Sequence, residues 1–503
     1  MELHQAISVL QYVFEPANFA ILGLSVFFGL IVGILPGLTA TMAVALLTGL
    51  TYRLAPEMAV LSLIGVYIGA ISGGCQSAIL VNIPGTPASA ATAVDGFPIG
   101  RRGEGGLGIF LAETSSCIGT LTGTLCVLLL TPPLSAMALK FGAYEFFLLA
   151  VFGVMICGQL TAGTDALKGW ISGLLGLLVA MIGLDGINSY PRFAFGMVDL
   201  MSGIPLIPVM IGLFGFPEIV YGLASTTARE QIVSSSLQML RGARIMLKNK
   251  LNILRSSIIG VMVGIIPGVG EDVAGWLSYW AEKSANKDKD KFGKGAYEGV
   301  IAAEAGNNAC IGGAIIPVLS LAVPGSAPAA VLLAALWLHG LHPGPLLMQE
   351  TPGFVVTISI YMAVSAIIMW CIGLSLAKVT TRILAIKSEI LMPLIYLICA
   401  VGSYVIDNNI FDIYIMFVFG IIGLLMREMK YPAAPFLLGI ILGPMADTNL
   451  RRALILSSGN LSPFFTRPLS LLFLSGILLL ILSQMNIGRR LKKLLSHEEF
   501  KES

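Results

Sequence analysis

Charge is scarce in this sequence. Of 503 residues, 30 are Lys or Arg and 28 are Asp or Glu, about 12% of the chain, half the roughly 25% of ordinary globular domains. With 56% apolar residues and a mean hydropathy of +0.88, that shortage excludes a soluble domain. Apolar stretches near the roughly 20 residues needed to cross a bilayer recur instead, as in a polytopic helical membrane protein. A net charge of +2 offers no basic face to nucleic acid. Nucleotide-binding loops, H-E-x-x-H and Rossmann fingerprints are missing, so neither an enzyme nor a cofactor is expected. The seven cysteines stand singly without C-x-x-C spacing, which reads as packing and not as disulfides or a metal site. His339 and His342 lack an acidic partner. The first apolar stretch has no Lys or Arg before it, unlike a cleaved signal peptide, and is expected to be retained.

Glycine and proline are abundant: 57 and 25 residues, about 16% of the chain against roughly 12% in average usage. Both break helices, and in lipid a broken backbone is tolerated only where protein or a water-filled cavity satisfies the freed N–H and C=O groups. Segment 256–280 has Pro267-Gly268 at its centre and Arg255 and Lys283 just outside its ends. Two arms of about 12 residues, about 18 Å each, are too short to cross, which predicts a re-entrant hairpin. Segment 18–52 repeats the design around Pro36-Gly37.

VGILPGLTATMAVAL (32–46) aligns with VGIIPGVGEDVAGWL (263–277) at an offset of 231. Gly73-Gly74 and IPGTPASAA (83–91) align with Gly312-Gly313 and VPGSAPAAV (323–331) at 239 and 240. Threading the chain with these hairpins divides the basic residues 24 to 6 across the membrane, with the C-terminus cytoplasmic and the N-terminus periplasmic. The expected fold is all-α: about 11 crossings plus two hairpins in two inverted-topology repeats, although the pattern also admits parallel repeats. The first repeat covers 1–228 (hairpin 18–52, broken helix 58–92), a cytoplasmic connector 229–250, the second repeat 251–488 (hairpin 256–280, broken helix 296–330), and a basic cytoplasmic tail 489–503. Within the second repeat, 432–446 is short for a span, and 432–468 reads equally as an interfacial helix or a third broken segment.

Inverted repeats with broken helices place substrate and ions near the midplane at the repeat interface. In 72–106, Pro84-Gly85 and Pro87 interrupt a run carrying Ser77, Asn82, Thr86, Ser89, Thr92 and Asp95. Hydroxyls, amides and freed carbonyls suit Na⁺, and N–H groups at a helix start suit a carboxylate. Gly325 and Ser326 mirror the break. In the helix that follows residue 296, Glu304, Asn307 and Asn308 share one face at i, i+3 and i+4. An ionisable side chain at that depth is a functional hypothesis unless it merely clamps helices together. Gly268, Gly270, Glu271 and Asp272 follow the second hairpin's proline, and Gly37, Thr39 and Thr41 stand near the first. Acids there repel an anionic substrate unless they take up cations or protons. Asp95, Glu271, Asp272 and Glu304 are therefore the coupling candidates, and Gly37, Thr39, Asn82, Gly85, Thr86, Ser89, Thr92, Gly268, Gly270, Asn307, Asn308, Gly325 and Ser326 are the substrate or ion contacts.

Three blocks carry a resemblance: GILPGLTATMAVALL, GGCQSAILVNIPGTPASAATAVDGFPIGRRG, and FGKGAYEGVIAAEAGNNACIGGAIIPVLSLAVPGSAPAAVLLAALWLHGLHPGPLL. They resemble the large membrane subunit of the tripartite tricarboxylate transporters. The resemblance implies a bacterial inner-membrane permease working with a small four-helix membrane subunit and a periplasmic solute-binding protein. It would import a small di- or tricarboxylate on a Na⁺ or H⁺ gradient. Two places depart from the family's usual pattern: Thr39-Ala40 stands where Gly-Pro is usual, and Ala303 where Pro is usual. A binding-protein-independent permease or exporter, a passive channel and a non-transporting scaffold are the alternatives.

Overall fold

In the computed structural model the described residues are 2–163, 165–224, 236–351, 353–384 and 388–484. The first part of the connector and the basic tail 489–503 lie outside them. The chain runs through α1 (Glu2–Phe14), α2 (Pro16–Ile34), α3 (Ala40–Thr51), α4 (Pro56–Val81), a 3₁₀ turn at Pro87–Ser89, α5 (Ala90–Ile99) and α6 (Gly105–Ala138). Next come α7 (Ala143–Thr161), α8 (Ala166–Val179), α9 (Leu206–Met210), α10 (Phe216–Ala224), α11 (Met239–Lys248), α12 (Lys250–Ile265) and α13 (Gly270–Ala285). They are followed by α14 (Tyr297–Leu321), α15 (Ala327–Leu338), α16 (Leu347–Glu350), α17 (Phe354–Leu376), α18 (Thr380–Ile383), α19 (Ser388–Asp407) and α20 (Ile410–Glu428). The last are α21 (Ala433–Leu456), α22 (Ser462–Thr466) and α23 (Pro468–Gln484). Among the described residues, sheet is limited to Gly183–Leu184 paired antiparallel with Pro191–Arg192.

The protein is an all-α multi-pass membrane protein. Nine helical stretches among the described residues are long and apolar enough to cross a membrane, against the eleven crossings expected. The difference lies partly in 166–179, 392–405 and 468–484, which are apolar but shorter. Helix α2 has 19 residues and is itself long enough to span. Arms α12 and α13 have 16 residues each, about 24 Å, longer than the expected dozen. The helices extend past the apolar run into charged ends, where Arg255 of α12 is ion-paired with Glu282 of α13.

Contacts divide the chain into two compact units. One is built from residues up to Leu139 and from Pro205 to Glu428; the other from Lys140 to Ile204 and from Met429 onward. In the first unit, α2 packs along α4 and α12 along α14. These contacts are backbone-close because small residues line them. Gly29 faces the Val66 carbonyl and Gly33 that of Ala70; Gly260 faces the Gly306 carbonyl and Gly264 that of Cys310. A Cβ at any of the four would collide with backbone.

In the second unit, α21 is one continuous helix through Pro444, where 432–446 alone read as a short span. Gly439 lies against the Gly173 carbonyl of α8, and Gly176 of α8 lies against that of Phe436. These contacts run along both helices before Pro444, and tight neighbours allow a proline to persist inside a membrane helix. Three arginines of the unit are paired. Arg192 meets Asp447 at 2.9 Å, Arg451 meets Asp185 at 2.5 Å, and Arg467 meets Glu145 at 2.7 Å. The hydrogen bond from Arg451 holds the Asp185 carboxyl below the usual carboxylate range.

Candidate functional site

Two broken helices build the site. Helix α4 ends on Asn82 and α14 on Ala322, both left-handed, with φ of 55° and 56°. Asparagine tolerates that conformation, while alanine in it is strained by about 1–2 kcal/mol. The second break is held by bonds from the Ala322 N–H to the Val318 carbonyl and from the Val323 N–H to the Pro317 carbonyl, both at 3.2 Å; the first is the bond of an αL helix cap. After each break comes Pro-Gly. Gly85 rests on the Gly33 carbonyl and Gly325 on that of Gly264, so a side chain at either would drive the break away from α2 or α12. The α12–α13 tip is laced to the second break: Gly268 N–H donates to the Pro324 carbonyl at 3.1 Å and Gly270 N–H to that of Gly325 at 3.2 Å.

Next to the first break, Thr86 and Ser89 are buried, and Thr86 Oγ1 and Ser89 Oγ have no hydrogen-bond partner. Both hydroxyls lie 2.6 Å from where a Cβ of Gly74 would stand. The missing side chain at Gly74 therefore leaves room for two converging, uncommitted hydroxyls. Buried polar groups are normally paired, so this pair is available to a ligand.

Beside it runs a continuous polar network. Thr92 donates to Glu304 at 2.5 Å and Ser116 at 2.9 Å. Asn308 donates to the Asn307 side chain at 2.7 Å and accepts from Ser72 at 2.7 Å. Asn307 donates to the Ala88 carbonyl at 3.0 Å, next to Ser89. All of these side chains are buried. A third group joins the second tip to α4: the Tyr67 hydroxyl donates to Glu271 and lies 2.8 Å from Ser326 Oγ. Ser326 caps α15, accepting from Ala329 N–H, and Thr39 caps α3 by accepting from Met42 N–H at 3.2 Å.

The structure thus brings Gly85, Thr86, Ser89, Thr92, Glu304, Asn307 and Asn308 into one neighbourhood, and Gly268, Gly270, Glu271, Gly325 and Ser326 into another. The remaining candidates join neither set of bonds. The Asn82 side chain is exposed, its residue serving as the left-handed helix end. Asp272 is also exposed. Gly37, with φ of +91°, and Thr39 form the half-buried α2–α3 bend. Asp95 is committed: Oδ1 accepts from the N–H groups of Gly293, Gly295 and Ala296 at 2.8–2.9 Å, and Oδ2 from the Tyr279 hydroxyl at 2.9 Å. It fastens the segment leading into α14.

Sequence reasoning missed Tyr67, Ser72 and the α6 residues Ser116 and Thr120, the last donating to Asn308 Oδ1 at 3.4 Å. On α6, Glu113, Ser116 and Thr120 recur at i, i+3 and i+7 on one face, but Thr114, Ser115, Thr122 and Thr124 stand among them, so that spacing does not set the three apart. Tyr67 and Ser72 sit in α4 without such a pattern.

Residues 19–438 match the Tripartite tricarboxylate transporter TctA family. The chain belongs to the TctA family. That family is the large subunit of the tripartite tricarboxylate transporter, and every candidate residue above falls within the matched range. Two Agrobacterium vitis proteins are similar to this TctA-family chain. One, an uncharacterized 52.8 kDa protein in the TAR-I ttuC′ 3′ region, is 35% identical over 455 residues, 90% of each chain. The other, an uncharacterized protein in the TAR-II ttuC′ 3′ region, is 35% identical over 225 residues, 44% of this chain and 93% of its own. No solved structure matches.

Proposed function

We propose that this TctA-family protein is an ion-gradient-driven importer of a di- or tricarboxylate in the bacterial inner membrane. The substrate is handed over by a periplasmic binding protein, and a small four-helix membrane subunit completes the complex. The observation that carries the reading is the pair of buried, partnerless hydroxyls, Thr86 Oγ1 and Ser89 Oγ, beside a Pro-Gly break. Each can donate to a carboxylate oxygen or offer a lone pair to Na⁺. The break also frees backbone groups at a helix start, where the dipole favours an anion. Glu304 and Glu271, buried and hydrogen-bonded only to neutral groups, are the groups through which Na⁺ or H⁺ is coupled.

We read the two halves of the first unit as inverted repeats with re-entrant hairpins. Support comes from equivalent close approaches. Gly29 on Val66 corresponds to Gly260 on Gly306, and Gly33 on Ala70 to Gly264 on Cys310, at the offsets of 231 and 240 found in the sequence. The 24-to-6 division of basic residues supports hairpins opening to opposite sides. Alternating access then moves one set of site-bearing elements against the other.

The test is uptake of labelled di- and tricarboxylates into proteoliposomes holding the complete complex, with Na⁺ or pH gradients imposed. Accumulation above equilibrium is expected for at least one acid. Absence of gradient-driven uptake for all of them would sink the proposal.

A further inference from the structure

Glu113, in the first third of α6, has no part in the site described above. Its side chain is fully buried. Oε1 accepts from Gln76 Nε2 at 2.7 Å, with Cys75 Sγ at 3.7 Å, and Oε2 has no hydrogen-bond partner. No salt bridge among the described residues reaches it. An ionised carboxylate so placed would have a bare oxygen and no cation, at a cost of several kcal/mol. The pocket is shaped for the group nonetheless. Gly373 of α17 faces it, and a Cβ there would stand 2.6 Å from Oε2.

The charged groups around it offer no neutralisation. Helix α14 presents Glu304, and α4 presents Cys75; Cys117 of α6 is the next titratable group. Helix α17 carries no Asp, Glu, Lys, Arg or His, and its Cys371 acts on Cys117. On α11, Arg241 pairs with Glu104 while Arg244 and Lys248 are exposed; on α12, Arg255 pairs with Glu282 and Lys250 is exposed. Glu298 of α14 pairs with Lys291, and Asp95 of α5 is held by backbone N–H groups.

Glu113 is wired to three neighbouring helices. Gln76 Nε2 also donates to the Gly373 carbonyl at 2.9 Å, and Gln76 Oε1 accepts from Thr380, tying α4 to α17 and α18. Gln76 lies two residues beyond Gly74, over which Thr86 and Ser89 converge. In the other direction, Ser116, one turn along α6 from Glu113, donates to Glu304 at 2.9 Å. A charge appearing at Glu113 would therefore reorganise Gln76 on one side and bear on the Glu304 network on the other.

We infer that Glu113 is a proton-binding site of this transporter, a buried carboxyl whose loading and release are coupled to the Thr86–Ser89 site through Gln76. The coupling half of this inference rests on the importer reading; the proton site does not. The binding step is a simple equilibrium in which a proton joins Oε2 and leaves to water, with no other reactant.

The test uses the full-length protein in lipid nanodiscs, with infrared spectra recorded at neutral and alkaline pH and no substrate present. Wild type should show a protonated-carboxyl C=O band at neutral pH that disappears at alkaline pH and is absent from Glu113→Gln at both. Identical wild-type and variant spectra in that region would overturn the proton site. Glu113→Gln is nearly isosteric and keeps the group neutral; if it does not fold, Glu113→Asp should shift the band, and an unshifted band overturns the proposal equally. In proteoliposomes holding the complete complex, an inward proton gradient should stimulate wild-type uptake about tenfold more than Glu113→Gln uptake, with substrate counterflow retained. Equal stimulation would overturn the coupling. If wild type accumulates no acid, the importer reading fails, and the infrared band still decides the proton site.

Discussion

The hydroxyl of Tyr67 on α4 donates a hydrogen bond to Glu271 at the start of α13. Its single proton is thereby used, so the 2.8 Å contact with Ser326 Oγ is donated by the serine. Ser326 in turn accepts from Ala329 N–H. A directed chain of bonds thus links α15, α4 and the second Pro-Gly tip. Tyr67→Phe should destabilise the purified protein by about 1–3 kcal/mol, because it strands a buried carboxyl oxygen. Adding Glu271→Ala should recover part of that loss in thermal unfolding, and full additivity would show that the bond contributes nothing.

Gly85 and Gly325 stand in equivalent places, each pressed on a backbone carbonyl of the preceding hairpin. Gly85→Ala and Gly325→Ala should each cost about 1–3 kcal/mol through overpacking. Thermal melts of the two variants should be similar to one another. A neutral substitution at either would mean that the break can move off α2 or α12 freely.

The breaks were legible in the sequence because Gly and Pro act locally. Pro36-Gly37, Pro84-Gly85, Pro267-Gly268 and Pro324-Gly325 each interrupt a helix where their chemistry demands it. The cluster of Glu304, Asn307 and Asn308 was legible for a similar reason, three polar groups at helical spacing in an apolar run. What they bind was not legible. Ser72 and Ser116 join them from α4 and α6, and such long-range pairs leave no local trace. Helix ends were misread where polar residues extend a helix past its apolar run, as at Lys250 and Ala285. Asp95 shows a further limit: nothing in the sequence near a lone acid reveals the backbone N–H groups that it collects from a segment some 200 residues away.

Asp95→Ala should therefore behave as a structural lesion. It strands three N–H groups of the segment before α14 together with the Tyr279 hydroxyl, a loss of about 3 kcal/mol or more. Tyr279→Phe, which removes one donor, should cost about 1 kcal/mol. Both should lower the amount of folded protein recovered, with the ratio of gradient-driven to equilibrium uptake unchanged per folded molecule. A change in that ratio would instead make Asp95 a coupling group.

The Asp185–Arg451 pair predicts an acid-side dependence of stability. Arg451 depresses the Asp185 carboxyl in the folded state. The stabilisation is present above the ordinary aspartate range and is lost as pH falls through the lowered folded-state value. Asp185→Asn should lower the unfolding temperature at neutral pH, and the gap between variant and wild type should narrow with acidification. A gap that stays constant down to strongly acidic pH would contradict the pairing.

Thr86 and Ser89 separate a binding site from a structural clamp most sharply. Their hydroxyls have no partner to lose, so Thr86→Val and Ser89→Ala should leave stability within about 0.5 kcal/mol of wild type or raise it slightly. If those hydroxyls meet the carboxylate or its coupling ion, each removal should raise the apparent KM for uptake about tenfold, equivalent to about 1.4 kcal/mol of lost binding. The double variant should lose gradient-driven uptake while remaining folded. By contrast, Asn308→Ala removes bonds to Ser72 and Asn307 and should lower stability and uptake together. Unaltered uptake kinetics in the Thr86→Val, Ser89→Ala protein would remove the observation on which the proposed function stands.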